Sequence, residues 1–370
     1  MKLKIYKNII LCFVVIIMMS SIVQAKEVEN ESIKGKVLKI TKDVVEKNES
    51  VGLSNRIQEM RIELLNGDNK GEITYATNNI SSEMAYNMIV EEGDEVILEI
   101  EKDEQGNIIQ MHVAEFVRDK YLLYLFIIFV IMIVLIGGYK GVKSLVSLGI
   151  ITFLIIKIMV PAILIGKNPI SMSIIVAIIS TVLTMLLIGG INKKTLAAIF
   201  GTSGGVISAG IIATMFMNKA KLTGLSLSDA QMLRVIPQGT EFDFKGILFA
   251  GIILGALGAA MDVSISISSS INEINEANSL MTIKQLFKAG MNVGKDVMGT
   301  MTNTLILAYA GTSLNLMILF LAYEKPFTQI INMDMIASEI VRALAGTIGL
   351  VFTIPLTAII SAYLNANKKY

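Results

Sequence analysis

Two residue types are nearly missing from this chain: Cys12 is its only cysteine and His112 its only histidine. That excludes a disulfide within the chain, a Cys/His metal cluster and a Cys–His nucleophile pair. Tryptophan is absent, and charged residues make up 17% of the 370 positions. No phosphate-cradling Gly-rich loop, metalloprotease helix or nucleophile elbow occurs in what remains. The sequence therefore carries no catalytic residue set, no metal site and no cofactor motif. Energy for any work has to come from an ion gradient or from a partner.

What the chain has is apolar length. It is 53% hydrophobic, with a mean hydropathy of +0.65, the composition of an α-helical polytopic membrane protein with a soluble part. Charge locates the soluble part: residues 26–118 hold 11 Lys/Arg against 20 Asp/Glu, a net −9 within a chain of net +1. Residues 1–25 read as a signal peptide, with Lys2, Lys4 and Lys7 before the apolar run Ile9 to Met19 and a small-residue site ending at Ala25. An uncleaved anchor is the alternative. Either way residues 26–120 are expected to be exported.

Between Ile33 and Val117 the pattern turns to period two. Val37–Ile40, Met60–Leu64, Gly71–Tyr75, Val96–Ile100 and Ile108–Val113 are expected strands, with turns at Asn66-Gly67-Asp68, Glu92-Gly93-Asp94 and Gln105-Gly106-Asn107. Five short strands in this length predict a small all-β barrel, of the oligonucleotide-binding shape. The acidic surface argues against a nucleic-acid ligand, because it repels phosphates. His112 reads as a strand surface residue.

Seven apolar segments follow, at 121–139, 144–165, 170–190, 195–217, 246–268, 298–321 and 338–363, in a membrane domain of residues 121–363. A crossing needs roughly 20 residues. With the barrel outside, Lys140, Lys143, Lys193, Lys194 and the basic tail 364–370 fall on the inner side, as the positive-inside rule requires. Two connections are amphipathic and predict short helices on the membrane surface or against a partner. One holds Ser228-Asp229-Ala230-Gln231 before Met232, Leu233 and Ile236, closed by Pro237. The other holds Thr282-Ile283-Lys284-Gln285, with Ile283, Leu286, Phe287 and Met291 on one face.

The fifth segment contains a bare carboxylate, Asp262. An ionisable group at that depth is costly and marks a functional site by default. The competing reading is a packing face whose Asp is bonded to a neighbouring hydroxyl. Ser266 follows it by one turn, and Thr300, Asn303 and Thr304, sharing one face of the sixth segment, are the expected polar shell of a proton or ion pathway. Gly201, Gly204 and Gly205, and Gly251, Gly255 and Gly258, have spacings that let helix backbones approach. Close packing is the simpler account, and a local opening of the helix at Gly201–Gly205 is the other. Glu339 and Arg342, three apart, can form an interfacial ion pair or take part in gating, and Pro355 interrupts the last segment. Pro161 is expected to bend the second segment beside Lys157.

Three runs, GAAMDVSISISSSINEI from Gly258, GKDVMGTMTNTLILAYAGTSL from Gly294 and ASEIVRALAGTIGLVFTIPLTAIISA from Ala337, resemble the YibE/F-like family of bacterial membrane proteins. The likeness covers nearly the whole chain and implies a cytoplasmic-membrane location, but it brings no established activity. Residues 246–363 also resemble, more remotely, the Asp-bearing helix region of resistance-nodulation-division exporters and the Sec D/F components, through Gly255, Gly258, Asp262, Asn272, Glu273, Thr300, Thr302, Thr304 and Pro355. Two functional expectations follow. One is a transporter or export-accessory component in which Asp262 carries a proton for an unidentified solute. The other is a scaffold or sensor whose exported β domain binds a protein partner. The expected setting of Asp262 is within its own chain, against the sixth and seventh segments, with a homo-oligomer optional.

Overall fold

A computed structural model of the chain describes residues 33–48, 53–81, 88–102, 108–226, 228–235 and 241–366. The expected signal segment, Cys12, the turn at 105–107, Pro237 and residues 367–370 lie outside them. The described residues divide into two units, one ending at Leu135 and the other beginning at Ile136.

The first unit is a closed barrel of five strands, β1 (Ile33–Asn48), β2 (Leu53–Leu64), β3 (Ile73–Ser81), β4 (Glu95–Lys102) and β5 (Ile108–Phe116), in the order β1-β2-β3-β5-β4. All neighbours are antiparallel except β3 and β5, which meet in parallel at Thr77 and His112. Period two places Met60, Ile62 and Leu64 inside, with Val37, Ala76, Val96, Leu98 and Met111. The strands are longer than the alternation alone indicates. In β1 the register shifts between Val37 and Lys39 and again between Ile40 and Lys42, so bulges interrupt the in–out pattern while hydrogen bonding continues to Asn48. Gly67 and Gly93 turn the chain with φ of 81° and 97°.

One polar network crosses the barrel core. Gln58, with 0% exposure, accepts from the Val90 amide at 3.0 Å and from Asn78 at 3.1 Å, and donates to the Val90 carbonyl at 3.1 Å. Asn78 also donates to the Met88 carbonyl at 2.7 Å. Gln58→Ala is expected to cost the barrel about 2 kcal/mol, because it strands buried partners. Faster hydrogen exchange at the Val90 amide is the check. Nearby, Arg56 donates to Asp43 at 2.7 and 2.6 Å and holds its carboxyl below the usual range. That exposed pair adds modest stability above the ordinary Asp pKa, lost as pH falls through the lowered value.

The helices that follow are α1 (Asp119–Phe153), a π-helical turn (Leu154–Met159) running into α2 (Val160–Leu164), α3 (Pro169–Gly189), α4 (Lys193–Lys219), α5 (Ser228–Met232) with a 3₁₀ turn (Leu233–Val235), α6 (Phe244–Ala277), α7 (Ile283–Thr312), α8 (Leu314–Ala322), α9 (Phe327–Ile331) and α10 (Asp334–Asn365). Within the barrel's own unit, Lys34 pairs with Asp119 and Lys120 reaches Glu95 at 2.6 Å, tying the first turn of α1 to β1 and β4. Among the described residues, five helical runs are long and apolar enough to cross a membrane. The bent pair α7 and α8 makes a sixth when taken as one span. The first run, residues 119–164, is 46 residues long and has one non-helical residue inside it, Gly138, with φ 52° and ψ −130°. Before Pro161, whose ring displaces the regular ladder, the Val160 amide bonds to the Ile155 carbonyl, five residues back.

In the second unit α4, α6 and α10 pack against one another, α3 lies on α6, and α7 lies on both α6 and α10. Two expectations are corrected here. The segment at Thr282 does cap a helix, with the reciprocal Thr282–Gln285 bonds in place. That helix does not end as a short surface piece, because it runs unbroken into the sixth span to Thr312. Its Leu286, Gly290 and Gly294 are buried, the glycines meeting Ile271, Ile354 and Ala358, while Ile283 at its start stays exposed. The sixth span, expected to continue to 321, instead breaks at Ser313 with a 57° bend.

Candidate functional site

Asp243 caps α6 by accepting from the Gly246 amide at 2.9 Å. One side of the helix then buries Phe249, Ile252, Ile253, Ala256, Ala260, Val263, Ile267 and Ile271. The opposite stripe, Gly251, Gly255, Gly258, Asp262 and Ser266, is exposed. A Cβ added at Gly251 or Gly258 would meet nothing within 4 Å. The close packing expected of these two glycines is therefore absent among the described residues, since the stripe turns away from α4 and α10. Gly255 differs: a Cβ there would meet the Tyr309 hydroxyl of α7.

The Asp262 carboxylate makes no hydrogen bond or ion pair among the described residues. The Ser266 hydroxyl donates to the Asp262 backbone carbonyl at 2.7 Å. Side-chain contacts set Ile271 beside Gly290, Ile267 beside Gly294 and Gly255 beside Tyr309, so the antiparallel register puts Asp262 level with Thr300 to Thr302. Thr300, Asn303 and Thr304 are exposed. The hydroxyls of Thr300 and Thr304 donate to their own helix, to the Val297 and Thr300 carbonyls at 3.0 and 2.9 Å, and not to Asp262. Thr302, at this level, was not among the expected site residues, and its hydroxyl is buried without a partner among the described residues.

The other glycine set has a different setting. Gly201 and Gly205 press on Thr357 and Thr353 of α10, and Gly204 on Leu356. A Cβ on Gly205 would lie 2.8 Å from the Gly349 carbonyl oxygen, and one on Gly349 would lie 2.8 Å from the Gly205 carbonyl oxygen. That reciprocal approach is the close packing that small residues permit. The buried Thr202 and Ser264 hydroxyls, 2.6 Å apart, join α4 to α6. Pro355, inside α10, has no amide to donate, and the flanking Thr353 and Thr357 hydroxyls donate to the Gly349 and Thr353 carbonyls at 3.0 and 2.7 Å.

Glu339 and Arg342 pair at 3.4 Å with side chains 15% and 23% exposed. Tyr309 shares their cleft, and its hydroxyl and the Arg342 Nε are both buried without partners among the described residues. Tyr309 was missed in the sequence because an isolated tyrosine in an apolar run carries no local signal. No cluster of three or more His, Cys, Asp or Glu able to hold a metal exists among the described residues.

Comparison with known proteins adds identity without activity. Residues 28–116 match the YibE/F family N-terminal domain and residues 125–367 match the YibE/F-like protein family. No curated protein and no solved structure matches the chain, so nothing links residues 246–363 to the exporters they resemble. On the two family matches, which together span nearly its whole length, the chain belongs to the YibE/F-like family.

Proposed function

We propose that this protein is a proton-coupled transporter or export-accessory component of the bacterial cytoplasmic membrane, with Asp262 as its proton-carrying group. The observation that carries the reading is the unpartnered Asp262 carboxylate in the middle of a 34-residue helix, on a stripe of glycines and serine. A carboxylate in such a helix faces water, protein or a second charge rather than lipid, because lipid exposure costs several kcal/mol. Ser266 on its stripe, with the exposed Thr300, Asn303 and Thr304 of α7 near its level, would supply polar groups for a hydrated groove. A second copy of the chain is the other means of covering that stripe, and cysteines at Ser266 and Thr304 in a Cys12→Ser background separate the two by cross-linking within or between chains.

The proposed topology has seven crossings. Residues 119–164 are 46 residues long, about twice what one crossing needs, and Gly138 stands where the first two expected spans divide. The bent pair α7 and α8 then counts once. A signal peptide of residues 1–25 directs the barrel outward, and Lys140, Lys143, Lys193 and Lys194 face the cytoplasm with the C-terminus.

The test is proton entry into proteoliposomes under an imposed pH gradient, followed with a trapped pH dye across a panel of solutes. Flux no greater than in empty liposomes for every solute overturns the proposal. A scaffold that docks an exported partner is the second reading. It is favoured by an apolar patch on the barrel, where Tyr75 is 67%, Ile109 62% and Ile73 49% exposed. Deleting residues 33–117 discriminates, since a transporter keeps part of its flux and a scaffold loses its partner.

A further inference from the structure

We propose that the cleft where α7, α8 and α10 meet binds a monoanionic oxyanion, a carboxylate or phosphodiester, carried on an apolar body. The cleft holds about 720 Å³ and is walled by Leu316, Leu319 and Met335, with Tyr309, Glu339 and Arg342 among its polar groups. An apolar wall with a few convergent polar groups, at this volume, is the make-up of a small-ligand site.

The sign and number of charges follow from what is left unpaired. Arg342 reaches Glu339 through Nη1 at 3.4 Å, a single long contact, while its Nε is buried without a partner. Guanidinium nitrogens only donate, so the missing partner is an acceptor. Buried orphan donors are costly, and two around one cleft indicate a partner that arrives from outside the chain. The Tyr309 hydroxyl is the second orphan. The Thr312 hydroxyl is already spent on the Tyr309 carbonyl at 2.8 Å. Guanidinium geometry suits carboxylate and phosphate oxygens, which it takes two at a time. Glu339 cancels the charge of Arg342 before anything binds, which disfavours a dianion and leaves room for a weakly held monoanion. The 57° bend at Ser313 shapes one wall, so the cleft follows from the break in the sixth span. Binding here does not depend on proton transfer at Asp262.

The chain has no tryptophan, so Leu319→Trp places a sole indole on the cleft wall. In the full-length protein in dodecyl maltoside micelles, which carry no anion, benzoate is expected to change its fluorescence saturably, and benzylamine is not. Mixed micelles of the same detergent with phosphatidylglycerol form the second arm. A response to that lipid alone assigns the same anion site to a membrane headgroup, and a response to benzoate assigns it to a free solute. Arg342→Lys, which keeps the charge and loses the planar fork, is expected to weaken binding by about tenfold or more. The double variant Glu339→Gln/Arg342→Gln, neutral and close in shape, should abolish it while leaving no buried charge unpaired. The proposal is overturned if neither benzoate nor phosphatidylglycerol produces a response. It is equally overturned if benzylamine acts like benzoate, or if the double variant binds like its parent.

Discussion

Asp262→Asn is expected to reduce proton flux through the reconstituted protein by about 10²- to 10⁴-fold, the scale seen when a positioned proton-transfer group is removed. Asn keeps the volume and hydrogen-bonding capacity of the side chain but cannot exchange a proton. It also removes the cost of a charge inside the membrane, so insertion should be undisturbed. Asp262→Glu, with the same chemistry displaced by one methylene, should retain measurable flux. Because the carboxylate has no partner among the described residues, the substitution strands no donor there, and lost flux reports lost titration rather than a broken network. Wild-type flux in the Asn variant would sink the assignment.

The second large effect concerns α4 and α10. Gly205→Leu is expected to destabilise the helical unit by more than about 3 kcal/mol, the upper range for overpacking. Even the first added carbon meets the Thr353 hydroxyl and lies 2.8 Å from the backbone carbonyl oxygen of Gly349, which has no rotamer by which to retreat. Gly251→Ala should be neutral or stabilising by up to about 1 kcal/mol, since a Cβ there meets nothing and Ala is the better helix former. Thermal aggregation of the detergent-solubilised variants compares them. Equal midpoints for Gly205→Leu and Gly251→Ala would contradict the packing described.

These two glycine sets show where the sequence was legible and where it was not. Spacing marked both as places of close approach, but spacing cannot say which face of a helix has a neighbour. Gly201 and Gly205 meet α10, whereas Gly251 and Gly258 share their stripe with Asp262 and face no neighbour among the described residues. Strands were recognisable wherever alternation was clean, as in Met60–Leu64. They were cut short in β1, where bulges shift the side chains without ending the ladder. The capping box at Thr282 was readable because it is local. The fate of the helix it starts was not, because an apolar face on Leu286 and Met291 looks alike whether lipid or α10 covers it. For the candidate site, Asp262 stood out as a charge in an apolar run. Tyr309 and the cleft it shares with Glu339 and Arg342 arise only from the approach of three helices and the break at Ser313.

The central claim is that Asp262 changes its protonation state, and infrared difference spectroscopy reads this directly. Spectra of the full-length protein in lipid, recorded across the pH range in which flux operates, are expected to contain a protonated-carboxyl band that appears and disappears with pH. The same band should be missing from Asp262→Asn. A pH-dependent carboxyl spectrum identical in the wild type and Asp262→Asn would show that Asp262 holds one protonation state throughout, and would contradict the account.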